Sequence, residues 1–479
     1  MSTLKRELAS GVAYIAIAKY SGMVVQLGIT AVLARLLTPE VFGIIAIATV
    51  FINFFNILGD IGIGPAIIQN KTLSDYDINN IFSFTIYLGL ILGLIFFACS
   101  WPIASYYDDN QLIPVCQSLC LLIFLACFTI VPQNLMFKAK RFKFISIVSF
   151  SVNVTVGVAS VIAAYNGWGV YSLVLSQLLS AVLMALIYYS QSKLHFYFKP
   201  QKASLMKIFS FSVYQFLFNT INYFGRNLDK MLIGQYLGMK QLGYYEKSYR
   251  LMLLPIHNIT HVITPVLLPT FSNFQDDIAE LGRKYFKMVN FLSYIAFPLS
   301  VILYFCSSEL ILSFFGDQWT EAVPTFRVLS ITICMQMLTS TTGSIFQSVN
   351  KTKTMFIAGF CSATMMIISF LITLNVFGTI ESVAYGYLVA QILSTLQCFY
   401  LVARDLSYPI FDMLKIAFIP LIISSILIAA YIAFNLTITI DNVFQSLIIK
   451  GSFGIILTLI LIHLLTGFNL LKIIKNKPL

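Results

Sequence analysis

The chain has 479 residues, 58% of them hydrophobic and 10% charged, with a mean hydropathy of +0.86 and a formal net charge of +11. This composition excludes a soluble globular domain and describes a polytopic membrane protein. Gaps between apolar runs stay near or below about 15 residues, which leaves no room for an inserted catalytic domain.

The first apolar run begins near Ser10 and passes Leu33. It is too long for a signal-peptide core and lacks a small-residue cleavage pattern, so it reads as a membrane span. Hydropathy predicts fourteen spans, at 10–35, 41–65, 78–101, 111–132, 144–165, 168–190, 206–237, 241–268, 285–306, 320–348, 354–377, 380–403, 413–434 and 446–466. With the N-terminus in the cytoplasm, twenty-one of the thirty Lys and Arg residues fall in cytoplasmic segments and three (Arg35, Lys240, Lys450) in outer ones. The excess basic charge is therefore read as topology, not as a nucleic-acid footprint, and both termini are expected to be cytoplasmic. Trp101, Trp168 and Trp319 fall at outer ends of spans, where amphipathic rings sit at the interface. The eight cysteines lie in or beside apolar runs without a CxxC pair and read as small buried hydrophobes.

An internal repeat is visible at an offset of 200. LARLLTPEVFG lies over the stretch that ends at Gly243, matching Leu37 to Leu237 and Gly43 to Gly243. PAIIQNKTLSDYD lies over PVLLPTFSNFQDD, and at an offset of 214 VYSLVLSQLLS resembles AYGYLVAQILS. The expected fold is thus all-α, with fourteen transmembrane helices. Two six-helix lobes, 1–203 and 204–405, are related by a pseudo-two-fold axis along the membrane normal. Residues 406–479 add two C-terminal helices and a tail.

Polar residues recur at helical steps inside the spans. Span 7 carries Gln215, Asn219, Asn222, Arg226, Asp229 and Lys230. Span 8 carries Glu246, Lys247, Arg250, His257 and His261. Span 2 carries Asn53, Asn56 and Asp60, and span 1 carries Lys19, Gln26 and Thr30. A charge at mid-bilayer costs about 2.5–3.5 kcal/mol on the mild insertion scale, so such stripes are expected to face one another across the repeat interface. Lys19, Arg226, Lys230, Lys247 and Arg250 outnumber Asp60, Asp229 and Glu246, and a net-positive chamber suits an anion. Several readings stay open at this stage. Arg226 and Lys230 could pair structurally with Asp229, and Lys247 or Arg250 with Glu246. Lys230 and Lys247 could snorkel outward. Arg327, alone near the outer end of span 10, is read as snorkelling. His257 and His261 have the spacing of metal ligands but no third ligand nearby, and are read as hydrogen-bonded histidines. No nucleophile–base pair, phosphate loop or metal site is expected.

NLDKMLIGQYLGMKQLGYYEKSYRLMLLPI, ITPVLLPTFS, LARLLTPEVFGIIAIATVF and KAKRFKFISIVSF together resemble the bacterial Wzx-type polysaccharide flippases. These belong to the multidrug/oligosaccharidyl-lipid/polysaccharide exporter superfamily. The resemblance implies two six-helix lobes with two extra helices in the bacterial inner membrane. It implies alternating-access movement of an undecaprenyl-diphosphate-linked oligosaccharide to the periplasmic leaflet, with the cations binding the diphosphate. Arg250-Leu251 with Pro255 is similar to a pattern of the related lipid II flippases, and Lys19 occupies the place of a basic residue often found on span 1. Span 2 departs from that pattern, having Asp60 but no Arg. Coupling to H⁺ or Na⁺ is expected to use Asp60, Asp229 or Glu246, without another cofactor. Polysaccharide polymerase and chain-length machinery are the candidate protein partners. Two rivals are a cation-coupled multidrug exporter of the same superfamily and a membrane-embedded polymerase or ligase. The first needs an acidic or apolar cavity. The second needs a large basic outer loop, whereas the longest outer segments here, 106–111 and 436–445, are short.

Overall fold

The computed structural model describes residues 20–60, 62–70, 72–272, 274 and 277–466. All regular elements among them are helices: α1 (Tyr20–Leu36), α2 (Pro39–Asp60), α3 (Ile63–Gln69), α4 (Asp75–Tyr107), α5 (Leu112–Lys138), α6 (Phe142–Tyr165), α7 (Val170–Ser190), α8 (Lys202–Ser272), α9 (Ile278–Phe305), α10 (Ser307–Phe315), α11 (Ala322–Thr339), α12 (Thr342–Ser348), α13 (Thr352–Val376), α14 (Ile380–Asp405), α15 (Ile410–Thr437) and α16 (Val443–Thr466). Eleven helical stretches among the described residues are long and apolar enough to cross a membrane. α1 is shorter, and α8 is a 71-residue run interrupted at Gly238. There the backbone takes φ 83° and ψ 172°, which glycine adopts without a Cβ penalty. Predicted spans 7 and 8 are thus joined by one residue of non-helical backbone. Predicted spans 2 and 10 each divide, into α2 with α3 and into α11 with α12. Gly62, at φ 77°, stands at the N-cap of α3.

Contacts divide the chain into two compact units, Met1–Gly243 and Tyr244–Leu479. In the first, α4 packs along α5, and α5 and α6 along α7. Ile63, Ile67, Ile81, Phe82 and Val131 form one core cluster, and Met136, Val148, Val152, Val156 and Tyr188 another. The eight cysteines are unbridged. Five are buried and three are half-buried, so the reading of wholly buried cysteines is corrected for Cys99, Cys120 and Cys361. These three lie on helix faces that pack only in part.

The tightest backbone approach in this unit is reciprocal. A Cβ placed on Gly43 would fall 1.8 Å from the carbonyl oxygen of Met239, and one placed on Gly243 would fall 1.9 Å from that of Pro39. At an offset of 200, Gly43 matches Gly243 and Pro39 matches Met239. The same residue pair is therefore used from both sides, as in an isologous contact. Small residues let membrane helices approach this closely.

Residues 192–201, which lead into α8, are held along the first turns of α4. Ser74 caps that helix in a capping box with Asp77. The backbone N–H groups of His195, Tyr197 and Gln201 donate to Asn79 Oδ1, Ser83 Oγ and Asn80 Oδ1 at 2.9, 2.7 and 2.8 Å. The Tyr87 hydroxyl donates to the Phe198 carbonyl, and the Ser204 hydroxyl donates to Asp77 Oδ1. Asn79, Asn80 and Ser83 are all buried. Each lost acceptor strands a donor at about 1–3 kcal/mol. Asn79→Ala/Asn80→Ala is therefore expected to speed hydrogen exchange at His195 and Gln201 by tenfold or more, leaving exchange in α5 unchanged.

In the second unit, α9 packs against α11 and α15, α11 against α14, and α13 against α14. The C-terminal helices are fastened here by buried polar groups. Lys450 Nζ lies 2.5 Å from Glu309 Oε1, with the two side chains 15% and 10% exposed. The Ser446 hydroxyl donates to the same oxygen. The Tyr431 hydroxyl donates to the Lys450 carbonyl, and its ring stacks on Phe305. Lys450 is thus a side chain of α16 drawn inward by a carboxylate on α10.

Candidate cation-bearing site

Beyond Gly238, α8 belongs mainly to the second unit. Its face Tyr244, Ser248 and Met252 is buried. The Ser248 hydroxyl lies 3.0 Å from both the Tyr244 and the Ala322 carbonyl. Met252 Sδ accepts from Thr332 Oγ1 and Gln336 Nε2 at 3.2 Å each. These contacts fix the rotation of the helix against α11. Lys247 is carried inward with that face, at 3% exposure. Its Nζ lies 5.5 Å from the Phe315 ring centroid and 5.9 Å from that of Trp319.

The box forms because α10 stops at Gly316, at φ 95°, and a 3₁₀ turn at Asp317–Trp319 folds the indole back onto Phe315 and the edge of Tyr244. A desolvated cation over aromatic faces gains about 2 kcal/mol or more, comparable to the cost of placing a lysine within a membrane span. The open alternative of an outward-snorkelling Lys247 is thereby closed, and Trp319 is fully buried with its indole over that ammonium group. Trp101 and Trp168 are about half exposed. Arg327 is exposed and bonds Ser307 and Ser308 at the α9–α10 turn.

Glu246 and Arg250 are the charged neighbours of Lys247. Arg250 and His257, seven residues apart, lie on the exposed side of the helix, and Glu246 is half-buried. The His261 side chain lies outside the described residues, as do those of Gln215, Asn219, Asn222 and Arg226 and the whole of Lys19.

In the first unit, Asp229 is buried and accepts the Lys230 backbone N–H at 2.8 Å, while Lys230 itself is half-buried. On α2, Asn53 is exposed and Asn56 half-buried, with Asn56 Oδ1 lacking a hydrogen-bond partner among the described residues. Asp60 Oδ1 accepts from Gly64 N–H at 3.1 Å, so one oxygen of this carboxylate closes the break before α3. α2 and the first half of α8 are in contact. The Tyr223 hydroxyl donates to the Val50 carbonyl, Phe224 lies 5.0 Å from Phe54, and Gly234 packs against Ile47 and Tyr107. The helices that carry the polar stripes of predicted spans 2 and 7 therefore do meet. Tyr107, with a buried hydroxyl that lacks a partner among the described residues, was not singled out by the sequence, since it ends an apolar run without polar periodicity.

A family model described as "Polysaccharide biosynthesis protein" matches residues 32–324, well over half of the chain and including the whole described cation-bearing stretch. The chain belongs to that family. Among its relatives is an uncharacterized membrane protein in the cps region of Klebsiella pneumoniae, 26% identical over 82% of this chain and 81% of the relative. The lipopolysaccharide biosynthesis protein WzxC of Escherichia coli is 24% identical over 84% and 82%, and the teichuronic acid biosynthesis protein TuaB of Bacillus subtilis is 24% identical over 72% of each. The fold of this polysaccharide biosynthesis protein is similar to that of the lipid II flippase MurJ in an inward closed conformation. The TM-score is 0.73 at 16% identity, covering 94% of this chain and 98% of that one. An inward-facing multidrug resistance MATE transporter gives 0.60 at 16% identity, over 82% and 98%. A polytopic all-helical membrane fold is thereby established.

Proposed function

We propose that this protein is a flippase that carries a diphosphate-linked oligosaccharide on a polyprenyl lipid across the bacterial inner membrane, towards the periplasmic leaflet. The family match across the cation-bearing stretch carries this reading. Relatives named for polysaccharide biosynthesis and a fold like that of a lipid II flippase support it. In this proposal Arg250, on the exposed side of α8, is a diphosphate contact, and Lys247 in its aromatic box holds the local potential positive. Lys19, Arg226 and Lys230 complete the cationic set. Alternating access moves the substrate as two lobes rock, with H⁺ or Na⁺ coupling through Asp229, Glu246 or Asp60. Passage of the glycan involves no covalent step. Two unit charges 4 Å apart attract by about 4 kcal/mol at an effective dielectric near 20, so loss of one contact is large on the scale of binding.

The test is flipping of a lipid-linked oligosaccharide in proteoliposomes. Arg250→Ala is expected to lower the rate by tenfold or more, with Arg250→Lys partly active. Near-normal flipping in both Lys19→Ala and Arg250→Ala would end the assignment. In cells, a deletion strain should accumulate unflipped lipid-linked units. Accumulation of flipped but unpolymerised units would instead indicate a polymerase.

A further inference from the structure

A cleft between α1, α5 and α6 in the first unit contains none of the cations assigned to transport. α1 and α6 touch at Ile29 and Gly157, where a Cβ on the glycine would fall 1.9 Å from the isoleucine Cδ1. From that contact towards the α5–α6 turn the helices bound a cleft of about 450 Å³. Phe142, Ser146, Ser149 and Asn153 line it from α6, at steps of three or four residues along one face, and Met23 and Gln26 line it from α1. Three rings (Phe137, Phe142, Phe150) share the lining with two hydroxyls and two amides, a surface suited to the region where acyl chains become esters.

The turn at the mouth carries Lys138, Lys140, Arg141 and Lys143, with no acidic residue on the neighbouring turns of α5 and α6. Lys138 is committed to the Asn70 carbonyl at 3.0 Å. Lys140, Arg141 and Lys143 are exposed. The Arg141 guanidinium is held over the Phe144 ring at 5.3 Å and donates to Gln191 Oε1 at 3.4 Å. Ser146 and Ser149 lie one and two turns beyond Lys143, roughly 5–9 Å along the helix at 1.5 Å per residue. That is the spacing between a lipid phosphate and its ester carbonyls. Basic pockets between membrane helices on the cytoplasmic side, where positive-inside reasoning places this turn, suit anionic headgroups.

We propose that this cleft binds one anionic glycerophospholipid, its phosphate on Lys140, Arg141 and Lys143 and its glycerol and first acyl segment between α1 and α6. None of its residues belongs to the cationic set assigned to transport, although Gln26 shares the span 1 stripe with Lys19.

Native mass spectrometry of the full-length protein, titrated with phosphatidylglycerol or phosphatidylcholine, tests it. The wild type should retain one phosphatidylglycerol and no phosphatidylcholine. Lys140→Gln/Arg141→Gln/Lys143→Gln should weaken retention tenfold or more. Ser146→Phe, which fills the cleft without changing charge, should do the same, and Gln26→Trp fills it from α1 if that variant does not fold. Removing three cations elsewhere, as Lys193→Gln/Lys199→Gln/Lys202→Gln, should leave retention intact. Undiminished retention in a folded cleft-filling variant overturns the proposal, as does equal loss in the Lys193, Lys199 and Lys202 control. Displacement of the lipid by millimolar inorganic phosphate would reduce the site to a surface anion site and overturn it likewise.

Discussion

Lys450→Met is expected to destabilise the second unit by about 3–5 kcal/mol, the usual cost of removing one partner of a buried ion pair. Glu309 accepts from Lys450 and Ser446 on one oxygen, and Glu309 Oε2 has no hydrogen-bond partner among the described residues. Without the ammonium group the carboxylate is left with one neutral donor in a site that is 10% exposed. Glu309→Gln should cost less, since an amide tolerates burial better than a charge and Lys450 sits on a flexible stem. Lys450→Met/Glu309→Leu should recover most of the loss, because a well-packed apolar pair is commonly as stable as the ion pair it replaces. Thermal unfolding of purified protein checks the ordering. If the double variant were as unstable as Lys450→Met, the loss would come from poor packing at these positions and not from a stranded charge. Tyr431 predicts a local accompaniment. Its hydroxyl bonds the Lys450 carbonyl, so exchange at the start of α16 should rise in the same variants.

Gly43→Val or Gly243→Val is expected to force apart the start of α2 and the stretch after Gly238. In each case the new Cβ meets a backbone carbonyl oxygen, at 1.8 or 1.9 Å, and backbone cannot rotate away as a side chain can. Overpacking of this kind costs typically about 1–3 kcal/mol or more. The two positions guard one contact, so their effects should be sub-additive. Once either substitution has separated the helices, the second meets little further resistance. The single variants should resemble one another because each new Cβ meets a backbone carbonyl of the facing segment at nearly the same distance. Gly359→Ala, where a Cβ meets open space in α13, should change stability by less than about 0.5 kcal/mol. Additive losses in Gly43→Val/Gly243→Val would show that the two glycines act at separate contacts.

The reciprocal glycine contact also shows how far the sequence reached. The offset of 200 was legible because Gly43 and Gly243 recur within similar apolar frames, and the structure places those residues in one shared contact. Hydropathy located nearly every helix, since crossing a bilayer demands about twenty apolar residues whatever their neighbours are. It missed the divisions of spans 2 and 10, because short breaks such as that before α3 do not change average hydropathy. Periodicity groups Asn53, Asn56 and Asp60 on one side of a helix, as 3.6 residues per turn requires. It could not say that Asp60 would accept from the Gly64 N–H at the start of α3, because that depends on where the chain turns after the helix.

The sequence by itself determined the membrane class, the positions of the apolar helices and the family, because these follow from composition and local order along one chain. Tertiary structure alone decided which buried charges are paired and by what. Lys247 turned inward beneath Trp319, Lys450 turned inward to Glu309, and Arg250 stayed exposed. The physical reason is that the fate of a charge in a membrane protein depends on the groups brought to it by distant segments. Phe315 and Glu309 lie more than sixty residues from the lysines they hold, beyond the reach of any helical period.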